Sequence, residues 1–164
     1  MAEPWLSGTL GEYHAVVRAV LHGLQQAQED IEEWTDDLVD EELWLRPSEL
    51  APVGFQLRHI AGSIDRLLTY ARGEQLSAEQ LATLKSEAAP GASRGDLMTL
   101  VEQTFAQAAA QVRGTDPATL TEARGVGRKA LPTTVGGLLI HSTEHTQRHV
   151  GQLIVTVRVL RAAR

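Results

Sequence analysis

Glycine and proline cut this chain into four long stretches whose apolar residues recur at three-four spacing, and no stretch sustains a strand's period of two. The first stretch runs from about Leu10 to Thr35, with Val16, Val17, Val20, Leu21, Leu24, Ala27 and Ile31 on one face. A helical turn within Asp36 to Leu45 ends before Arg46-Pro47. The second helix is expected from near Pro52, since proline is tolerated in a first turn, to Gly73, which can take a left-handed cap. Ser77 and Gln80 form a capping-box pattern for a short helix, Ala78 to Lys85. A loop from Ala88 to Ser93 leads to the third long helix, about Arg94 to Val112, which ends at Gly114. The segment Thr115 to Pro132 reads as irregular. Thr133 or Thr134 then starts the last helix, which runs to about Arg161.

This pattern predicts one all-α domain over residues 1–164, a four-helix bundle with long interhelical connections. The long connections leave the topology open. The aromatic residues are few (3 Trp, 2 Tyr and 2 Phe), so the core must be mostly Leu, Val, Ile and Ala, a palette suited to helix on helix.

Fifteen basic residues against 21 acidic ones give a net charge of −6, with no basic stripe, so a nucleic-acid partner is not expected. No stretch approaches the roughly 18–20 apolar residues of a membrane span. Met1 to Thr9 has neither a basic leader nor an apolar run, and a cytoplasmic location is the expectation. With no cysteine, neither a thiolate metal site nor a cysteine nucleophile exists in the chain.

Chemistry concentrates in the histidines. Of the six, His141, His145 and His149 share the last helix at intervals of four, on nearly one face with Leu138, Gln152, Leu153 and Thr156. Imidazoles at i and i+4 have β-carbons about 6 Å apart, close enough to converge on one ion. Neutral imidazole nitrogens suit zinc, nickel or iron, so zinc, nickel or iron is the expected divalent metal. A further ligand must come from another helix. On the second helix Phe55, His59, Gly62, Ser63, Arg66 and Tyr70 share a face that mixes an aromatic wall with small and polar groups. Such a face leaves open volume rather than a plain packing seam.

The stretch Leu57-Arg58-His59-Ile60-Ala61, followed by Asp65-Arg66, resembles the metal-site helix of the DinB/YfiT-like superfamily. The closing His145-x-x-x-His149-x-Gly151-Gln152 is similar to that family's ending, and Glu42-Leu43-Trp44-x-Arg46-Pro47 to its first interhelical segment. The order of these motifs matches along most of the chain. The resemblance implies a four-helix bundle, commonly a homodimer, with a three-histidine metal site at His59, His145 and His149. The apolar flank Ile154, Val155 and Val159 agrees with a dimer. His141 is not a required member of that site. The resemblance also implies thiol-dependent chemistry, since relatives use bacillithiol or mycothiol as S-transferases or in an isomerase.

Three neutral imidazoles around a divalent cation leave an open position and a net charge near +2, which activates bound water or thiol. The thiolate must come from a low-molecular-weight cosubstrate, and the acceptor is a small electrophile. Arg66 is a candidate anion anchor and Tyr70 a candidate proton donor. Gln152 could orient a ligand, and Asp65 suits an ion pair or cap rather than ligation. The competing readings are metal-assisted hydrolysis, a non-catalytic metal- or small-ligand-binding stress-response protein, and a metal-free bundle with a histidine network in its core. His141-Ser-Thr-Glu144-His145 also matches the H-x-x-E-H pattern of inverted zinc peptidases, with Glu144 as base. No carboxylate follows Glu144 to complete that ligand set. The long loops Gln75–Ser93 and Thr115–Pro132 are expected to rim the pocket.

Overall fold

The computed structural model describes residues 2–164. Its helices are α1 (Ala15–Thr35), α2 (Val53–Ala71), α3 (Ala78–Ser86), α4 (Arg94–Arg113) and α5 (Val135–Ala162). Between α4 and α5 lies a small antiparallel hairpin, β1 (Ala123–Val126) and β2 (Leu131–Thr134). The fold is thus all-α apart from this one ribbon. No helix among the described residues is long and apolar enough to cross a membrane.

Two elements depart from the sequence reading. The first helix starts at Ala15 rather than Leu10, because Leu10 sits at φ 61° and His14 supplies the cap, its Nδ1 accepting from the Val16 N–H. The segment expected to be irregular contains the hairpin, with Pro132 opposite Gly125. Four-residue strands carrying glycine and proline hold no readable alternation. The hairpin serves the ends of two helices. Arg124 Nε donates to the Ala71 carbonyl at 2.9 Å, at the last turn of α2. The first N–H groups of α5 are taken up by Glu122 O and Leu120 O, from the chain that leads into β1. The other boundaries agree with the sequence: Ser77 and Gln80 form the capping box of α3, and Gly73 takes φ +81° just past α2.

The bundle has an order that short loops could not produce. Helix α1 packs on α4 and α5, and α2 packs on α5 and α4, so α1 and α2 sit on a diagonal. Side-chain links fix the directions. Gln56 meets Gln152 and His59 meets His145, so α2 and α5 are antiparallel. Gln147 reaches Gly23 O and Arg161 reaches Trp34 O, so α1 and α5 are parallel. Gln111 at the end of α4 donates to Leu68 O near the end of α2, and those two are also parallel. A parallel pair needs a return connection as long as the helix, and α3 with its flanking loops supplies it.

The core is aliphatic as the composition required, with Ile31, Leu43, Leu57, Ile60, Leu139 and Leu153 almost wholly buried. Truncating one of these to alanine costs about 2–5 kcal/mol. The buried stripe of α5 also includes Ser142 and Thr146, whose hydroxyls donate to Leu139 O and Ser142 O within the helix. The histidines at 145 and 149 stand beside this stripe, toward α2, rather than on it.

At the surface, the C-terminus is tied back to the turn after α1. Asp37 accepts from Arg161 at 2.6 Å and from Arg164 at 2.5 Å. Hydrogen bonds from Arg161 and then Arg164 lower its carboxyl pKa to about 2. A carboxylate held below its unfolded value contributes stability above that value and loses it as pH falls through the folded one. Asp37→Asn is therefore expected to lower the melting temperature slightly at pH 7, with the gap to wild type closing as the pH approaches 2. A gap that persists there would show that the carboxylate's charge is not what matters.

Candidate metal centre

His59 occupies the middle of α2, and His145 and His149 are one turn apart on the antiparallel α5. One nitrogen from each of the three rings lies within 4.8 Å of the others. His59 Nε2 and His145 Nε2 are 3.0 Å apart. Two ligands at about 2.0–2.1 Å from a tetrahedral zinc ion are roughly 3.3 Å apart, so modest side-chain adjustment would gather all three on one ion.

Two of the three rings are oriented from behind. Glu87 Oε2 meets His59 Nδ1 at 2.7 Å, and Gln56 Oε1 meets His149 Nδ1 at 2.7 Å. Each contact leaves the ring's Nε2 for the shared centre and fixes the tautomer that presents a lone pair there. Gln56 in turn donates to Gln152 Oε1 at 3.1 Å. Phe55 stacks on the His59 ring, with centroids 5.5 Å apart.

Electrostatics favours neutral imidazoles. Burial, then the neighbouring His59, lowers the pKa of His145 below the ordinary histidine value. Burial, with His59 and His145 beside it, lowers that of His149 to about 4. Both rings therefore offer lone pairs near neutral pH without first losing a proton. The donor set, its tautomers and its protonation fit a divalent ion. The three-histidine group could hold one.

Glu87 is the buried anion of the arrangement, only 3% exposed. Burial opposes its charge, but hydrogen bonds from His59 and Arg66, and the Arg66 charge, outweigh it and hold its pKa below the usual carboxylate range. Arg66 Nη1 donates to Glu87 Oε1 at 2.6 Å. Glu87 lies just past α3, where a loop would ordinarily be mobile. Arg58 pins it by donating to Ser86 O at 3.1 Å and Ala89 O at 2.6 Å, while stacking over the Trp44 ring. Trp44 itself donates to Ala92 O at 3.0 Å.

The model of the DinB superfamily matches residues 23–153, a span that holds all three histidines and Glu87. The chain belongs to the DinB superfamily. The crystal structure of the conserved protein of locus from Enterococcus faecalis superposes with a TM-score of 0.76 at 16% identity, covering 92% of this chain and 99% of that one. At that identity the likeness shows the shared fold alone. No curated protein matches the chain.

Within this DinB-superfamily bundle, His59, His145 and His149 come together as the family resemblance implied, and His141 stays outside. Its exposed ring makes a 3.4 Å contact with Glu144, its neighbour on the helix. Glu144 is itself exposed and paired with Arg148, which leaves the H-x-x-E-H reading without a converged site. Arg66 is committed to Glu87, and Asp65 accepts from Gln80 Nε2 at 2.7 Å, away from the histidines. Tyr70 lines a cavity of about 260 Å³ that also touches His59, His141 and His145. A larger cavity of about 420 Å³ runs along Arg58, Gly62, Asp65 and Arg66, sharing Arg66 with the first, and another of about 570 Å³ lies against α1 and α4, away from the histidines. Of the two long loops, the first borders the site through Leu76 and Glu87, and the second contributes none of that cavity's wall.

Sequence reasoning missed Glu87 and Gln56. The signal for Glu87 was Gly62. A β-carbon there would lie 2.5 Å from Glu87 Oε1 and 2.7 Å from Arg66 Nη1, so any larger residue would make the carboxylate and the guanidinium shift from their present positions. Two variants test its role. Glu87→Gln keeps the volume but not the charge, and Gly62→Ala pushes the carboxylate off its seat. Each is expected to weaken zinc binding about 10–100-fold in a chelator competition, with helix content unchanged by circular dichroism. Wild-type affinity in both variants would show that Glu87 does not orient His59 for an ion.

Proposed function

We propose that this protein is a divalent-metal-dependent enzyme that transfers a small thiol to a small electrophile, with His59, His145 and His149 as the metal ligands. The convergence of three imidazole nitrogens beside an open cavity carries this reading. When bound, a divalent ion in such a site lowers the pKa of a coordinated thiol or water. A structural site would instead be closed by a fourth protein ligand. The nearest candidate for that role, His141, points to Glu144.

The chain's own residues have defined tasks in this scheme. Glu87 and Gln56 hold two imidazoles in the ligating tautomer. Arg66 balances the charge of Glu87. The chain has no cysteine, so the sulfur nucleophile arrives with the cosubstrate. The thiol proton passes to solvent, a carbon–sulfur bond forms, and the leaving group departs with the electron pair of its bond to carbon. No oxidant or reductant is required. Two substrates need two places. One is the 260 Å³ space by His59 and His145, and a second cavity of about 330 Å³ lies along Gln56, Arg148 and Gln152, bordering the glutamine that orients His149 but touching none of the three histidines. The exposed Val155, beside Ile154, is the face we assign to a homodimer.

Elemental analysis of untagged protein, wild type beside His149→Ala, is the first test. Near one equivalent of metal is expected in the wild type and little in the variant. Metal-loaded wild type should then accelerate thioether formation between cysteine-derived thiols and 1-chloro-2,4-dinitrobenzene, and the variant should not. No metal in either protein after reconstitution with zinc, nickel or iron would refute the metal site. Bound metal without thioether formation, together with hydrolysis of activated esters, would replace the transferase by a hydrolase.

A further inference from the structure

We infer that the cavity beside His59 and His145 takes a small uncharged molecule with an apolar body and one oxygen acceptor at its far end, received by the Tyr70 hydroxyl. The inference names a substrate class for the site proposed above and rests on that reading for the chemistry at the histidine end.

Size and lining come first. At about 260 Å³ the cavity falls below the roughly 300–1,000 Å³ of pockets for drug-sized ligands. Leu67, Leu76 and Leu84 form its apolar wall. Apart from an ion held by the histidines, the charged side chains that face it are already matched. Arg66 is paired with Glu87, and Glu87 also takes His59. A carboxylate ligand would have to compete with a buried glutamate for that guanidinium. At the mouth, His141 is engaged by Glu144.

The polar side chains of the wall then separate into spent and free. The Ser63 hydroxyl donates to Ile60 O within its own helix. Tyr70 is only 8% exposed, and its hydroxyl has no hydrogen-bond partner among the described residues. Among the described residues the wholly buried side-chain oxygen left without a partner is Gln26 Oε1, so the Tyr70 hydroxyl keeps contact with solvent, is not committed to another residue, and is free to donate to a ligand in the cavity that it lines.

Position fixes which end of the ligand it meets. His59, Ser63, Leu67 and Tyr70 follow one another along a single face of α2. By the usual rise, eleven residues span about 16 Å of helix axis, and side chains lean back toward the N-terminus. The hydroxyl therefore lies at the end of the cavity remote from the imidazoles. It meets the tail of the ligand rather than its reacting atom.

The test is a ¹H–¹⁵N NMR titration of the full-length chain with 2-heptanone and with heptanoate, on wild type and Tyr70→Phe, each with and without zinc. In wild type, 2-heptanone is expected to shift the amides of Leu67, Tyr70 and Leu84, and to bind about five- to tenfold less tightly to Tyr70→Phe. In zinc-free protein, heptanoate should bind more weakly than the ketone. Equal ketone affinity in wild type and variant would overturn the role of Tyr70. Preference for heptanoate in zinc-free wild type, or ketone shifts that avoid these amides, would overturn the uncharged ligand class. The zinc-free titrations separate the two proposals. A ketone preference that survives in protein unable to bind metal would leave this inference standing while the metal-centred reading falls.

Discussion

The site depends on one buried carboxylate. Glu87 accepts from His59 on one oxygen and from Arg66 on the other, at 2.7 and 2.6 Å, with almost no exposure to water. An isolated carboxylate in that position would be neutralised by protonation, because desolvation penalises its charge heavily. Two donors from α2 reverse the balance. The same pair of contacts determines which nitrogen His59 presents to the other imidazoles, so the charge state of Glu87 and the ligating competence of His59 are one property.

That carboxylate reaches its seat because of topology. With α2 and α4 parallel, the chain must travel back along α2 before α4 can begin, and α3 makes that return. Its end therefore passes the level of His59. Arg58 and Trp44 hold the passing strand of chain by its carbonyls at 86, 89 and 92. Gly62 leaves room for the carboxylate and its arginine, where a β-carbon would lie 2.5 and 2.7 Å from their terminal atoms. A bundle with short loops would have no chain at this place. The long connection, which costs conformational entropy to order, is what carries Glu87 to its seat.

The helices were legible in the sequence because their apolar spacing and caps are local properties. Ser77 with Gln80, and Gly73 after α2, mark boundaries that the structure reproduces. The interval of four placed His141, His145 and His149 on one face without choosing among them, and it was the family resemblance that singled out His145 and His149 and added His59 from the mixed face of the second helix. Glu87 and Gln56 could not be found in the same way. One belongs to a segment after a helix and the other to an apolar seam, and each acquires its meaning only from a partner 28 or 93 residues away. The hairpin at 123–134 was hidden for a different reason. Its pairing is stabilised by what it caps on α2 and α5, not by a hydrophobic face of its own.

The distribution of charge also bears on reactivity. A carboxylate bound directly to a divalent ion would cancel part of its charge and weaken its pull on a coordinated thiol or water. Here the only buried glutamate among the described residues stands behind His59, and Arg66 balances it there. An imidazole that ligates through its lone pair brings no charge of its own, so an ion among these three would keep nearly its full charge. Glu87 still orients His59 as a ligating carboxylate could not. The arrangement separates orientation from neutralisation, and that separation is what a site needs if it is to stay strongly electrophilic while holding its ligands in place.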